Sequence, residues 1–386
     1  MDEGTPPYRP TPSIWQAMVP VFLLVGLLST SVYLFGDESS SGPNQIALIL
    51  GAGLCIVIGL YNGQSWKDLE NGITRGLSVS VGAILILLVV GSVIGTWIVA
   101  GIVPTMIYYG LLLLAPSFFY PAACLLCAVV ATATGSSWTT AGTIGIALIG
   151  IATAHDLHLG LAAGAVISGA YFGDKMSPLS DTTNLAPAVA GSDLFAHIRH
   201  MVWTTTPSFV AALTLFLLVG LFTSQPESTT EIDSFLEVLE SQFSIGPHLL
   251  IPVIVVLGLV TARVPAFPAL LIGALLGGAF AMVFQSGVLL NYMGDSELPT
   301  SVALVKGVWV AMYGGFESRS GNVALDELLS RGGMASMLTT VWLIMCAMIF
   351  GAVMETTGLL QVIASRILTA VRGTGSLISA TLLTSF

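Results

Sequence analysis

The chain has 386 residues, 55% of them hydrophobic and only 8% charged, with a formal net charge of −10. Soluble domains carry about 25% charged residues, so a soluble globular protein is excluded and a membrane protein is indicated. The acid excess does not suggest a nucleic-acid partner, which would call for a basic face.

Residues 1–13 form a polar tail, MDEGTPPYRP and onward. It lacks the basic n-region of a cleavable signal peptide, and the first apolar run is too long for an h-region. Apolar runs follow at Ile14–Phe35, Gln45–Tyr61, Leu77–Ala100, Trp203–Phe222, Leu249–Val260, Ala266–Phe284 and Met334–Val353. Several reach the roughly 20 residues that cross a bilayer, and their period is helical, which predicts helices and not a barrel. All four cysteines lie in such runs. Cys124 and Cys127 form a CxxC without a second pair or a neighbouring His, so they are predicted to be packing thiols with no disulfide and no zinc.

The stretch ATATGSSWTTAGTIG, Ala131 to Gly145, joins two apolar arms, Phe119–Val130 and Thr143–Ala154. Arms near a dozen residues are short for a span, which predicts a re-entrant hairpin. Its tip holds Gly135, Ser136, Ser137, Thr139 and Thr140. Non-helical backbone at membrane depth is tolerated where it lines a cavity or is buried in protein, and hydroxyls and freed carbonyls suit a small hard cation. The alternative role for these small residues is close helix packing. Trp138 is expected to pack. His155 and Asp156, at the end of the second arm, are expected to face solvent.

Next, LGLAAGAVISGAYFG runs into GDKMSPLSDTTNLAP. Pro178 cannot continue a helix. With Gly173 it predicts an unwound break flanked by Asp174 and Asp181. A charge at membrane depth costs on the order of 3 kcal/mol or more, which marks both as functional candidates. Ser177, Ser180, Thr182, Thr183 and the Asn184 amide add oxygen ligands. Asp174, Asp181, Thr182 and Asn184 form a candidate cation-binding set, and a carboxylate that holds either a proton or a cation can exchange one for the other. A polar extramembrane loop with an Asp174–Lys175 surface pair is the alternative. Beyond these, HIRH (His197–His200) reads as an interfacial basic cluster and ESRSG (Glu317–Gly321) as a loop. Pro226 to Glu240 carries five acids and no Lys or Arg, which predicts a solvated stretch, disordered or a short surface helix. Glu355 is a weaker candidate carboxylate.

An internal repeat is also legible. DLENGITRG (Asp68–Gly76) and LDELLSRGG (Leu325–Gly333) both read as amphipathic linkers into an apolar run, with Arg75 and Arg331 256 apart. VAGIVPTMI and TTGLLQVIA align at Gly101 and Gly358, 257 apart. Repeated halves are common in secondary transporters, with the substrate site near the midplane where broken helices meet. The same offset sends the counterpart of Gly135–Ser137 to about 392–394, past Phe386, so the second repeat is expected to be incomplete. The expected organisation is a tail at 1–13 and a first repeat at 14–222, with its hairpin (119–154) and broken helix (159–190). An acidic extramembrane linker at 223–247 and the incomplete second repeat at 248–386 follow.

These motifs, GSSWTTAGTIG, GAYFGDKMSPLSDTTNLAPAVAG, LLSRGGM and FGAVMETTGLLQ, resemble the NhaC family of Na+/H+ antiporters over essentially the whole chain. The resemblance implies an all-α polytopic membrane protein of the prokaryotic inner membrane, with inverted repeats, a re-entrant hairpin and broken helices. It implies that the hairpin tip and the segment Asp174–Asn184 line the translocation site. The implied function is exchange of Na+, with Li+ and K+ as further candidate cations, for H+. The partners are the lipid bilayer and small cations, a homodimer is the candidate assembly, and no cofactor is implied beyond the transported ions. Some relatives exchange organic acids such as malate and lactate, which keeps a carboxylate exchanger open; Lys175 is the basic residue available in the predicted site. A membrane enzyme would need a nucleophile with its base or a metal motif such as HExxH, which the sequence lacks, and a sensor would need an output domain.

Overall fold

A computed structural model describes residues 11–178, 180, 183, 187, 192–223, 229–294, 298–321, 323–370, 373 and 375. Among them the regular structure is all helical, and eight helices are long and apolar enough to cross a bilayer. This is a multi-pass membrane protein. Large apolar side chains such as Phe22, Val79, Trp203 and Phe222 stand exposed on these helices. In water such a surface would drive aggregation; in lipid it faces a solvent as apolar as itself.

The chain divides into two compact units. The first is Met1–Ile84 with Leu338–Phe386, and the second is Leu85–Met337. In the first unit, α1 (Ile14–Phe35) opens on a capping box, Ser13 accepting from the Gln16 N–H and Gln16 accepting from the Ser13 N–H. It packs with α2 (Pro43–Tyr61), which packs in turn on α16 (Leu338–Thr356), around Ala17, Cys55, Val353, Met354 and Leu359. Here, too, the expected linker Asp68–Gly76 is helical: it forms the first turns of α3 (Trp66–Val99). Its two glycines let the helix lie directly on α16, Gly72 against Thr356 and Gly76 against Ala352.

The second unit holds the rest of α3, then α4 (Ile102–Leu113), α5 (Phe119–Thr134), α6 (Ser137–Thr140), α7 (Ile146–Ala154) and α8 (Leu159–Met176). After these come α9 (Leu194–Thr223), α10 (Thr229–Gln242), α11 (Ile251–Thr261), α12 (Ala266–Phe284), α13 (Ser286–Met293), α14 (Thr300–Gly314) and α15 (Val323–Leu329). Its core centres on Trp97, Ile102, Ile107, Phe119, Tyr120, Leu249 and Leu270, and the Trp97 indole N–H donates to the Gly273 carbonyl at 3.0 Å. Among the described residues, the acidic stretch from Thr229 onward folds as α10. Phe235 and Leu239 of this helix and Phe243 just after it are buried in the core, while Glu237 and Glu240 stay exposed. The sequence reading missed this docking because five carboxylates outweigh two apolar anchors one turn apart. Residues Phe235–Gln242 and Pro247–Thr261 meet at a bend of 82°.

The two segments aligned by the repeat share a local course. Gly101 (φ 73°) and Gly358 (φ 76°) each sit in the left-handed region after a long helix, and each starts a helix of 12 residues, α4 and α17 (Leu359–Ala370). Contacts recur as well. Gly76 lies on Ala352, and Gly332 lies on Gly95, so positions 256 and 257 apart exchange places in the two contacts.

Candidate cation and proton site

The hairpin and the broken helix come together. A Cβ on Gly169 would strike the Cys124 carbonyl, and one on Gly173 would strike the Ala128 carbonyl. A four-residue step on α8 thus matches a four-residue step on α5 in the same direction, so the two helices are parallel and in backbone contact. This is the close approach that paired small residues allow in membranes. Gly173 is therefore a packing residue inside α8, not part of the break; helix continues to Met176, and the chain leaves it at Ser177, just before Pro178. Carried along this register, α8 ends within one turn of the end of α5.

Between them the chain doubles back. The His158 N–H, at the start of α8, donates to the Tyr120 hydroxyl, at the start of α5, at 3.1 Å. The intervening 137–154 segment must therefore return toward the origin of α5. The arms are longer than the sequence suggested, because helix persists through Thr134 and resumes at Ser137; Pro116–Thr134 and Ser137–Ala154 each reach span length. His155 is buried at 4% exposure, not solvent-facing, since the return packs its end into the protein. Ala141–Gly145 is one π-helical turn, a feature frequent at functional sites.

At the tip, Gly135 takes φ 68°, the left-handed turn that ends α5. Ser136 then caps α6, its hydroxyl oxygen accepting from the Thr139 N–H at 3.1 Å and the Thr139 hydroxyl at 2.9 Å. The Thr140 hydroxyl donates to the Ser136 carbonyl at 3.0 Å. These three hydroxyls build the turn. Ser137 does something else: its hydroxyl crosses to α8 and donates to Asp174 Oδ2 at 3.0 Å. Ser137 is buried and Asp174 half-buried.

The end of α8 is tied by its own residues. The Ser177 N–H donates to the Asp174 carbonyl at 3.2 Å, and the Thr183 hydroxyl reaches the Asp174 and Lys175 carbonyls at 3.1 and 3.2 Å. Ser177, Ser180 and Thr183 are buried. Asp181, Thr182 and Asn184 lie outside the described residues. Lys175 is exposed, and Trp138 is 47% exposed. Glu355 belongs to the first unit, where it lines a cleft of about 530 Å³ with Asp68 and Arg75.

Electrostatics favour a cation here. Each helix C-terminus carries about half a negative charge, and α5 and α8 end side by side next to the Asp174 carboxylate. Sequence reasoning missed two further residues. Thr134, the last residue of α5, is buried with its hydroxyl unpartnered among the described residues. Arg331 lines a cavity of about 530 Å³ together with Ala141, Gly145, Ile146 and Ile149 of the returning arm. Only the folded chain brings residue 331 to residue 141.

A model described as the Na+/H+ antiporter family matches residues 169–386. The Na+/H+ antiporter NhaC of Alkalihalophilus pseudofirmus is 38% identical over 360 residues, 93% of this chain and 73% of the relative. This chain belongs to the Na+/H+ antiporter family. Within the family it is 37% identical to the malate-2H+/Na+-lactate antiporter of Bacillus subtilis over 89% of the chain and 70% of the relative. It is 35% identical to the arginine/ornithine antiporter ArcD of Halobacterium salinarum over 97% and 73%. No solved structure matches it.

Proposed function

We propose that this protein is a secondary active antiporter that exchanges Na+ for H+ across the cytoplasmic membrane of a prokaryotic cell. The observation that carries the proposal is the Ser137–Asp174 bond at the paired ends of α5 and α8. It sets one ionisable oxygen among neutral oxygens at two negative helix ends. Such a carboxylate binds a proton or a small cation, and Ser137 can turn its hydroxyl oxygen from Asp174 to the ion. Helices that stop inside the protein are the usual means of offering backbone oxygens at membrane depth.

The test is a pH-dye assay in everted vesicles with an imposed pH gradient, adding Na+, Li+, K+ or malate. Na+ should release protons in the wild type, and Asp174→Asn should abolish the response, while Ser137→Ala should weaken it. A Na+ response that survives Asp174→Asn removes Asp174 from the site.

A second reading, exchange of an organic carboxylate together with the ions, is favoured by one observation: Arg331 in the largely apolar cavity beside the returning arm. An exposed arginine among the residues lining an apolar cavity, its Nε donating to the Glu327 carbonyl at 3.3 Å, suits a carboxylate on a short carbon chain. In the same assay this reading requires proton movement that depends on malate or another carboxylate.

A further inference from the structure

The exchange site contains one buried oxygen that the fold leaves unused. Thr134 is 4% exposed, and its hydroxyl has no hydrogen-bond partner among the described residues. A threonine in a helix ordinarily gives its hydroxyl to the carbonyl three or four residues back. Thr132, two residues earlier, does so to Ala128 at 2.7 Å; Thr143 and Thr153 do the same in the returning arm. Thr134 does not use this partner, although it lies in the last turn of the same helix. Buried polar groups without partners are rare in native proteins, and an ion or a water is one of the few explanations for them.

Its position says which. Thr134 immediately precedes the left-handed Gly135, and three residues on, Ser137 holds Asp174. In the parallel register of α5 and α8, where Ala128 faces Gly173, Thr134 lies about two residues past the level of Ser177, where the chain leaves α8. An uncharged oxygen at the negative end of a helix, three residues before the serine that holds a carboxylate, is a ligand for a dehydrated hard cation. A proton has no use for it, because the proton goes to the carboxylate alone.

We infer that Thr134 is a cation ligand of the exchange site: its hydroxyl oxygen binds Na+, while Asp174 carries the charge that Na+ and H+ contest. This rests on the antiport reading above and divides the work within it. Asp174 serves both ions; Thr134 serves one.

The variants Thr134→Val, which keeps the shape and removes the hydroxyl, and Thr134→Ser, which keeps the hydroxyl, test it in everted vesicles. Purified protein is melted in parallel in NaCl and in choline chloride. Thr134→Val should raise the Na+ concentration for half-maximal response about tenfold, leave the pH of half-maximal response at saturating Na+ unchanged, and lose most of the Na+-dependent rise in melting temperature. Thr134→Ser should restore all of these. In choline chloride Thr134→Val should melt no lower than wild type, since a buried unpaired hydroxyl has been replaced by a methyl. An unchanged Na+ requirement in Thr134→Val, or a melting point lowered equally in both salts and not rescued by Ser, overturns the assignment. If the wild type shows neither Na+-driven proton release nor Na+-dependent stabilisation, the antiport reading itself fails. If the wild type shows both and Thr134→Val behaves as wild type, the ligand role alone fails.

Discussion

Gly173→Ala is the sharpest test of the idea that α5 and α8 must touch. A Cβ at this position would lie 2.7 Å from Ala131 Cβ and from the Thr132 backbone N, and closer still to the Ala128 carbonyl. Carbon atoms settle at about 3.5–4.0 Å, so the helices must part by about 0.8 Å or more. Neither side offers a flexible side chain that could yield; the obstruction is backbone and a methyl group. Adding that displacement to the 3.0 Å Ser137–Asp174 bond takes it to about 3.8 Å, beyond hydrogen-bond reach. Overpacking of this kind costs about 1–3 kcal/mol. Gly164→Ala, on the same helix, meets only Phe216 Cζ at 4.0 Å and should gain about 0.5–1 kcal/mol from helix propensity. The assay is Na+-driven proton release in vesicles beside thermal melting of purified protein. Gly173→Ala should lose activity and melt lower; Gly164→Ala should keep activity and melt at or above wild type. Wild-type activity and stability in Gly173→Ala would refute the close contact and, with it, the parallel register on which the site is built.

Other outcomes follow from the same geometry. Asp326 accepts from the Ser318 hydroxyl and the Ser320 N–H at 2.7 Å each and from the Gly321 N–H at 3.1 Å, pinning the 318–321 loop. Burial pushes its pKa up, but these bonds together outweigh it and hold the carboxyl at about 2, below the ordinary 3.8. A depressed carboxylate stabilises above the unfolded pKa and loses that contribution as pH falls through about 2, so the loop lock is constant across neutral pH. Asp326→Ala should therefore speed tryptic cleavage at Arg319 by a similar factor, roughly fivefold, at pH 6 and pH 8; a strong difference between the two pH values would contradict the assignment. For Arg331→Gln, the Na+-for-H+ reading requires an intact Na+ response and no malate response in wild type or variant. A wild-type malate response lost in Arg331→Gln would instead establish the carboxylate exchanger.

The long elements were legible and the contacts were not. Ala266–Phe284 forms a helix with the bounds its apolar run suggested, and Ile14–Phe35 begins where Ser13 and Gln16 make a capping box. Apolar length and local capping depend on neighbouring residues, which a sequence displays. The two polar interruptions were visible because charges, hydroxyls and Pro178 are conspicuous against 55% hydrophobic residues. What each hydroxyl does was hidden. Ser136, Thr139 and Thr140 cap the tip while Ser137 alone crosses to Asp174, a division set by a turn and by the pitch of α6. Gly173 looked like a helix breaker and is a packing surface, because its neighbour is a helix about forty residues away in sequence. Thr134 was passed over beside showier neighbours; its signal is a missing bond, which only coordinates reveal. The repeat was faint in sequence, in Arg75 with Arg331 and Gly101 with Gly358; beside it stand two contacts, Gly76 on Ala352 and Gly332 on Gly95, each within its own unit, in which positions 256 and 257 apart exchange places.

Charge balance then explains how one carboxylate can couple two ions. The ends of α5 and α8 together contribute about one negative charge in partial charges, and ionised Asp174 adds a full one. An empty, ionised site is thus poorly compensated, and either Na+ or H+ relieves it. The second ion gains far less than the first. A unit cation about 4 Å from a carboxylate is worth about 4 kcal/mol at an effective dielectric constant near 20, and protonation removes that attraction. A difference of that size is about a thousandfold in affinity, enough to make occupancy by Na+ and by H+ nearly exclusive. On the proposed assignment, neutral ligands such as Ser137 and Thr134 would set which cation competes without altering the balance of charge. Exclusive occupancy is what antiport requires, because a site that carried both ions together would move them in the same direction.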